Sequence, residues 1–179
     1  MIYVFLAEGF EEMEAIAPVD ILRRCGASVL TVSISEDREV KGAHGITVLA
    51  DALASVCNFG DADAVILPGG LPGADNLENS ELVKKAVLGA NEKGAICAAI
   101  CAAPKVLGKF GLLKGKKATC YPGFENELSG AETTCAKVVV SDNIITACGA
   151  GAAYDFGFTL AKELGYSAEA EKVSNGMLI

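Results

Sequence analysis

The chain has no tryptophan, one histidine and only 6% aromatic residues. It contains no Cys-x-x-Cys pair, and no apolar run approaches the length that crosses a bilayer. Each absence removes a class of function. A Cys–His pair within one subunit would have to use His44, the only candidate. Thioredoxin-type exchange has no motif to run on. Cys97 and Cys101 lie four apart with no second ligand pair, so no metal is expected. Basic residues are outnumbered 15 to 23, which leaves a net charge of −8. An acidic surface repels phosphate backbones and anionic membranes, so neither nucleic acid nor membrane is an expected partner. The first residues carry no basic leader, and seven cysteines at irregular spacing do not form a secreted disulfide framework. A reducing cytosol is the expected setting, with most thiols packed as small hydrophobes.

What is present is aliphatic and small: 51% apolar residues, 21% charged and 20 glycines in 179 residues. That length supports one domain, 1–179, with a sizeable core. Short apolar runs at 2–6, 28–33, 64–67, 94–100, 117–121, 136–140 and 144–147 predict strands. Helical spacing predicts helices over 11–24, 80–93, 103–110, 152–164 and 167–174, with Pro18 expected to kink or delay the first. Residues 40–51 predict a β-hairpin. Strands alternating with helices mean an α/β sandwich on a mostly parallel sheet.

In such a sheet, sites form at the carboxyl ends of the strands. Four unusual segments fall there: Gly9–Glu14, Pro68-Gly69-Gly70, Ile100-Cys101-Ala102 and Gly149–Gly151. Cys101 lies between a strand and a helix with Pro104 in its first turn, flanked by alanines that permit a sharp reversal. That is the physical counterpart of a nucleophile elbow. The helix N-terminus is expected to stabilise a thiolate and lower its pKa. Glu14 shares a helix face with Ala17, Pro18 and Ile21; that semi-apolar flank favours a neutral carboxyl able to donate to sulfur or move a proton. Glu11 and Glu12 are expected to face water or the helix N-terminus. Backbone N–H groups of Gly69 or Gly70, with that of Ala102, offer an oxyanion hole. Gly149-Ala-Gly151 does not complete a dinucleotide fingerprint, so no NAD, FAD or other cofactor is expected.

Glu11-Glu-Met-Glu14-Ala-Ile-Ala-Pro-Val-Asp20, Leu67-Pro-Gly-Gly70, Ala98-Ala-Ile-Cys101-Ala-Ala-Pro104 and Gly149-Ala-Gly151 together resemble the ThiJ/PfpI superfamily. The branch they resemble most is that of the Parkinson's-disease-associated protein deglycase and its bacterial relatives. The resemblance implies a flavodoxin-like three-layer sandwich and a homodimer. It implies Cys101 as a low-pKa nucleophile, a protonated Glu14, and backbone donors at Gly70 and Ala102. The activity it implies is glutathione-independent conversion of methylglyoxal or glyoxal to hydroxy acids, or reversal of early glycation adducts. The alternative it implies is an oxidative-stress sensor working through oxidation of Cys101. The protease branch places a histidine directly after the nucleophile, where this chain has Ala102, so a peptidase is not expected. Amidotransferase relatives need a downstream histidine that is missing. Several members carry a histidine where this chain has Tyr121, and a phenol, with an ordinary pKa of about 10, is a poor base at neutrality. Weak turnover is the expectation. Gly69, Cys120, Tyr121, Cys148 and Gly149 are expected at the rim, where Cys120 or Cys148 could resolve an oxidised Cys101.

Overall fold

A computed structural model describes residues 1–179. The chain opens with β1 (Ile2–Leu6), a five-residue apolar run buried on both faces. Ile2, Val4 and Leu6 enter one core cluster, and Tyr3 and Phe5 enter a second on the other face. This two-sided burial is what a parallel strand between two helix layers requires. After β1 come α1 (Glu12–Arg24), β2 (Val29–Ser33), the hairpin β3 (Glu39–Lys41) and β4 (Thr47–Leu49), and the short β5 (Ala52–Leu53). Then follow β6 (Ala64–Leu67), α2 (Gly73–Glu78), α3 (Glu81–Glu92), β7 (Ile96–Ile100) and α4 (Pro104–Lys109). The last elements are β8 (Lys117–Ala118), β9 (Glu132–Thr133), β10 (Val138–Ser141), β11 (Ile144–Ala147), α5 (Ala153–Glu163) and α6 (Ser167–Met177). No helix is long and apolar enough to cross a membrane.

Seven strands form the main sheet in the order β10-β11-β7-β6-β1-β2-β5, parallel throughout except for β10 against β11. The small hairpin forms its own two-stranded sheet. Helices α1, α5 and α6 cover one face, with Leu22, Phe156 and Leu160 in the first cluster; α2, α3 and α4 cover the other, with Leu77, Val87 and Leu107 in the second. The chain leaves β1 towards β2, then returns on the other side of β1 to β6 and β7. That reversal opens a crevice at the carboxyl ends of β1, β6 and β7, the place where such sheets hold ligands.

Two expectations change. Helix α1 runs unbroken through Pro18 and starts at Glu12, so proline does not delay it. The α1–α5 contact is close because Gly157 has no Cβ: one there would stand 2.8 Å from Ile21 Cδ1 and 3.1 Å from Pro18 Cα. The strand expected over 117–121 shrinks to Lys117–Ala118 and pairs with β9 outside the main sheet. From Thr119 the backbone turns away, its N–H donating to Thr146 Oγ1 at 3.0 Å, and the Tyr121 N–H donates to the Cys101 carbonyl at 2.8 Å. That second bond carries residue 121 to the elbow.

Candidate active site

Cys101 follows the last residue of β7 with φ at 65°, a left-handed conformation in a residue that has a Cβ. Such a residue costs on the order of 1–3 kcal/mol and is retained when surrounding bonds over-determine it. Here its N–H donates to the Ala147 carbonyl at 2.9 Å and its carbonyl accepts from Tyr121. The side chain is thereby turned out of the strand's alternation and towards α1, where Glu14 waits.

Glu14 is completely buried. Three bonds fix it. The Glu11 carboxylate caps α1 by accepting the Glu14 N–H at 2.7 Å, the Glu11 N–H donates to the Gly69 carbonyl at 2.9 Å, and the Gly69 N–H donates to Glu14 Oε2 at 3.0 Å. Glu14 Oε1 has no hydrogen-bond partner, although it is fully enclosed. The Glu14 carboxyl and the Cys101 thiol act on each other's ionisation across Gly69. Gly69 stands between the two: a Cβ there would fall 2.5 Å from Glu14 Oε2 and 2.6 Å from Cys101 Cβ. Gly70, at φ +85°, lets the following turn fold back over Gly9 and Glu11.

Burial pushes the Glu14 carboxyl up to about 7. Burial also pushes the Cys101 thiol up to about 12, reinforced by the Glu14 charge and against the pull of the Ala102 and Gly70 N–H groups. The direction is opposite to the depressed thiol pKa expected: the Ala102 and Gly70 N–H groups pull it down, but the dry site and the adjacent Glu14 push it up. The two shifts belong to one pair. Once Glu14 is neutral, its repulsion of the thiolate disappears and its O–H becomes a donor to sulfur. Near neutrality the pair therefore carries at most one negative charge, shared between the Glu14 carboxyl and the Cys101 sulfur.

Of the expected rim, Tyr121 and Gly149 are beside the thiol. A Cβ on Gly149 would stand 3.3 Å from Tyr121 Cδ2 and 4.0 Å from Cys101 Sγ, and the tyrosine is half exposed. Cys120 does not open on the rim. It is buried in the second cluster, its thiol next to the Phe124 N–H and pushed up to about 11 by burial and Glu125. Cys148 is half-buried at the end of β11.

Glu12 corrects a second expectation. Instead of facing water it is buried, and its carboxylate accepts the His44 N–H at 2.8 Å, the Ile46 N–H at 3.3 Å and a contact from His44 Nδ1 at 2.8 Å. Burial works against its charge, but these bonds outweigh it and hold Glu12 below the ordinary carboxylate range, while the same contact raises His44. The pair fastens the hairpin to the first turn of α1. Donor atoms of Glu11, Glu12 and His44 lie within 4.8 Å of one another, a grouping that could hold a cation, but those of Glu12 are already spent on the hairpin. The largest cavity, about 590 Å³, lies at the opposite end of the sheet among Met1, Asp63, Lys93 and Tyr166, far from this chemistry.

A model of the DJ-1/PfpI family matches residues 1–163. The Arabidopsis thaliana protein DJ-1 homolog B is 38% identical over 97% of this chain, which spans only 40% of that relative's length. Drosophila melanogaster protein dj-1beta is 37% identical, with 98% of this chain and 95% of the relative covered. The solved structure of oxidised Toxoplasma gondii DJ-1 superposes with a TM-score of 0.94 at 34% identity, covering 99% of this chain and 97% of that one. The elbow, the enclosed glutamate and the glycine turn thus sit in a chain that belongs to the DJ-1/PfpI family.

Proposed function

We propose that this chain is a cysteine-dependent enzyme that converts α-oxoaldehydes such as methylglyoxal to 2-hydroxy acids without glutathione, or acts on their early glycation adducts. One observation carries the reading: a strained elbow presents the Cys101 thiol to a fully buried Glu14 whose carboxyl is poised near neutrality. Cys101 sulfur attacks the aldehyde carbon as its proton passes through Glu14 to the aldehyde oxygen, giving a hemithioacetal whose oxygen is held by the Gly70 and Ala102 N–H groups. Glu14 takes the hydrogen on that carbon as a proton and delivers it to the ketone oxygen, giving an enediol; the hydroxyl proton on the former aldehyde carbon then moves to the neighbouring carbon, which becomes the CH(OH) of the product. The aldehyde carbon is thereby oxidised to a thioester and the neighbouring carbon reduced, with no external oxidant. Water then releases the hydroxy acid and restores the thiol. Glu14 is the group positioned to move both protons. Methylglyoxal turnover without glutathione in Glu14→Gln tests this assignment: loss of at least about a hundredfold is expected for a general acid–base group, and full turnover would remove Glu14 from the mechanism.

A second reading, a protective protein in which oxidation of Cys101 is the functional event, is favoured by the unpartnered Glu14 Oε1 and the two backbone donors, which suit an oxygen added to sulfur. Selective sulfinate on Cys101 after peroxide treatment supports it, and indiscriminate oxidation of several cysteines contradicts it. A homodimer belongs to either reading. Met13, Ile16, Ile46 and Tyr154 are exposed around a groove of about 480 Å³ beside α1 and the hairpin, an apolar face suited to a second copy.

A further inference from the structure

Lys105 lies four residues beyond the thiol, in the first turn of α4, where the helix end disfavours a cation. It is nevertheless only 7% exposed. Its Nζ donates to Asp75 and lies 3.3 Å from Glu78 and 3.8 Å from Glu127, with the Phe124 ring centroid 5.7 Å away. Burial works against the charge, but Asp75 and Glu78 outweigh it and hold the ammonium above its ordinary pKa. Lys109 adds a 3.0 Å contact to Glu78. A buried lysine among three carboxylates is costly to assemble, so what it joins is informative.

It joins three segments, each carrying a group of the site. Asp75 and Glu78 belong to α2, which begins three residues after Gly70. Glu127 ends the short turn of helix 125–127 that follows Tyr121 and Phe124. Lys105 itself is on the helix that the elbow opens. The fit between α4 and the 125–127 turn is close, since a Cβ on Gly108 would stand 2.6 Å from the Glu127 carbonyl oxygen. Around the lysine the two cations and three carboxylates leave one negative charge in excess, and loss of Lys105 would leave two, all on the second-cluster side of the elbow.

We propose that Lys105 is a positioning residue for the thiol: its ion pairs tie α2, which follows the Gly69–Gly70 turn, and the 125–127 turn, which follows the Tyr121 loop, to the helix that the elbow opens. The proposal rests on Cys101 being the reacting thiol, but not on which substrate it meets. The test is the rate of Cys101 alkylation by iodoacetamide at one fixed pH, read by mass analysis of the Cys101 peptide. In Lys105→Met alkylation slows roughly tenfold, and Lys105→Arg restores the native rate. Asp75→Asn, which removes a half-exposed partner of the lysine, slows it in the same direction. A Lys105→Met protein with the native rate and only a lower melting temperature would overturn the proposal. So would failure of arginine to restore the rate, or an unchanged rate in Asp75→Asn, which decides the matter if Lys105→Met does not fold. Alkylation needs no aldehyde, so absent turnover would count against the proposed function and leave this result standing.

Discussion

Replacing Glu14 by glutamine changes the pH dependence of stability in a direction set by burial. The carboxyl is enclosed and pushed from an ordinary 4.5 to about 7. A group with a raised folded pKa binds its proton more tightly in the folded state, so its contribution is fully present below pH 4.5 and is lost as pH rises through about 7. At 1.36 kcal/mol per unit, that contribution is about 3 kcal/mol, a large share of a typical total of roughly 5–15 kcal/mol. Glutamine does not titrate and still presents an oxygen to the Gly69 N–H. Urea denaturation of both proteins between pH 4.5 and 7.5, below the ordinary thiol pKa of about 8.5, isolates the effect because every other titrating group is shared. The stability of Glu14→Gln relative to the native protein rises by about 3 kcal/mol across this range. A difference that stays flat with pH would refute the claim that Glu14 is a neutral buried acid at the start of the titration.

Three further outcomes follow from the same geometry. Gly69→Ala drives a methyl between Glu14 and Cys101, costing about 1–3 kcal/mol of stability and on the order of a hundredfold in turnover; thermal melts with activity assays check both. The His44 ring titrates above 6.5 in the native protein and returns towards it in Glu12→Gln, as followed by NMR. Ile16→Glu places a charge in the exposed apolar face, and sedimentation should show a shift from dimer to monomer of at least tenfold in dissociation constant, about 1.4 kcal/mol.

Much of this was legible from residue order. Continuous apolar runs mark β1, β6, β7 and β11 because both faces of those strands are covered, and glycine and alanine at their carboxyl ends mark the turns. Cys101 is singled out by position, just past a strand end where the sheet order reverses, whereas Glu14, in the first turn of α1, needed the family resemblance beside its helix face. Short elements were not legible. Helix α2 has six residues and β5 two, too few for a period to register. The fate of 117–121 depended on Thr146 and Cys101, partners distant in sequence. Glu12 reads as a solvent-facing acid until the hairpin is seen to deliver three donors to it. The thiol's raised pKa depends on how dry the site is, which no local pattern encodes. One signal for Lys105 was available: a lysine in the first turn of a helix sits against the dipole and needs acids brought from elsewhere.

Lactate formation from methylglyoxal without glutathione, measured in the native protein and in Cys101→Ser, decides whether the Cys101 thiol turns over an α-oxoaldehyde. Turnover in the native protein that disappears in the variant is the expected result. Equal turnover in both, or none in the native protein while Cys101 remains alkylatable, would contradict it.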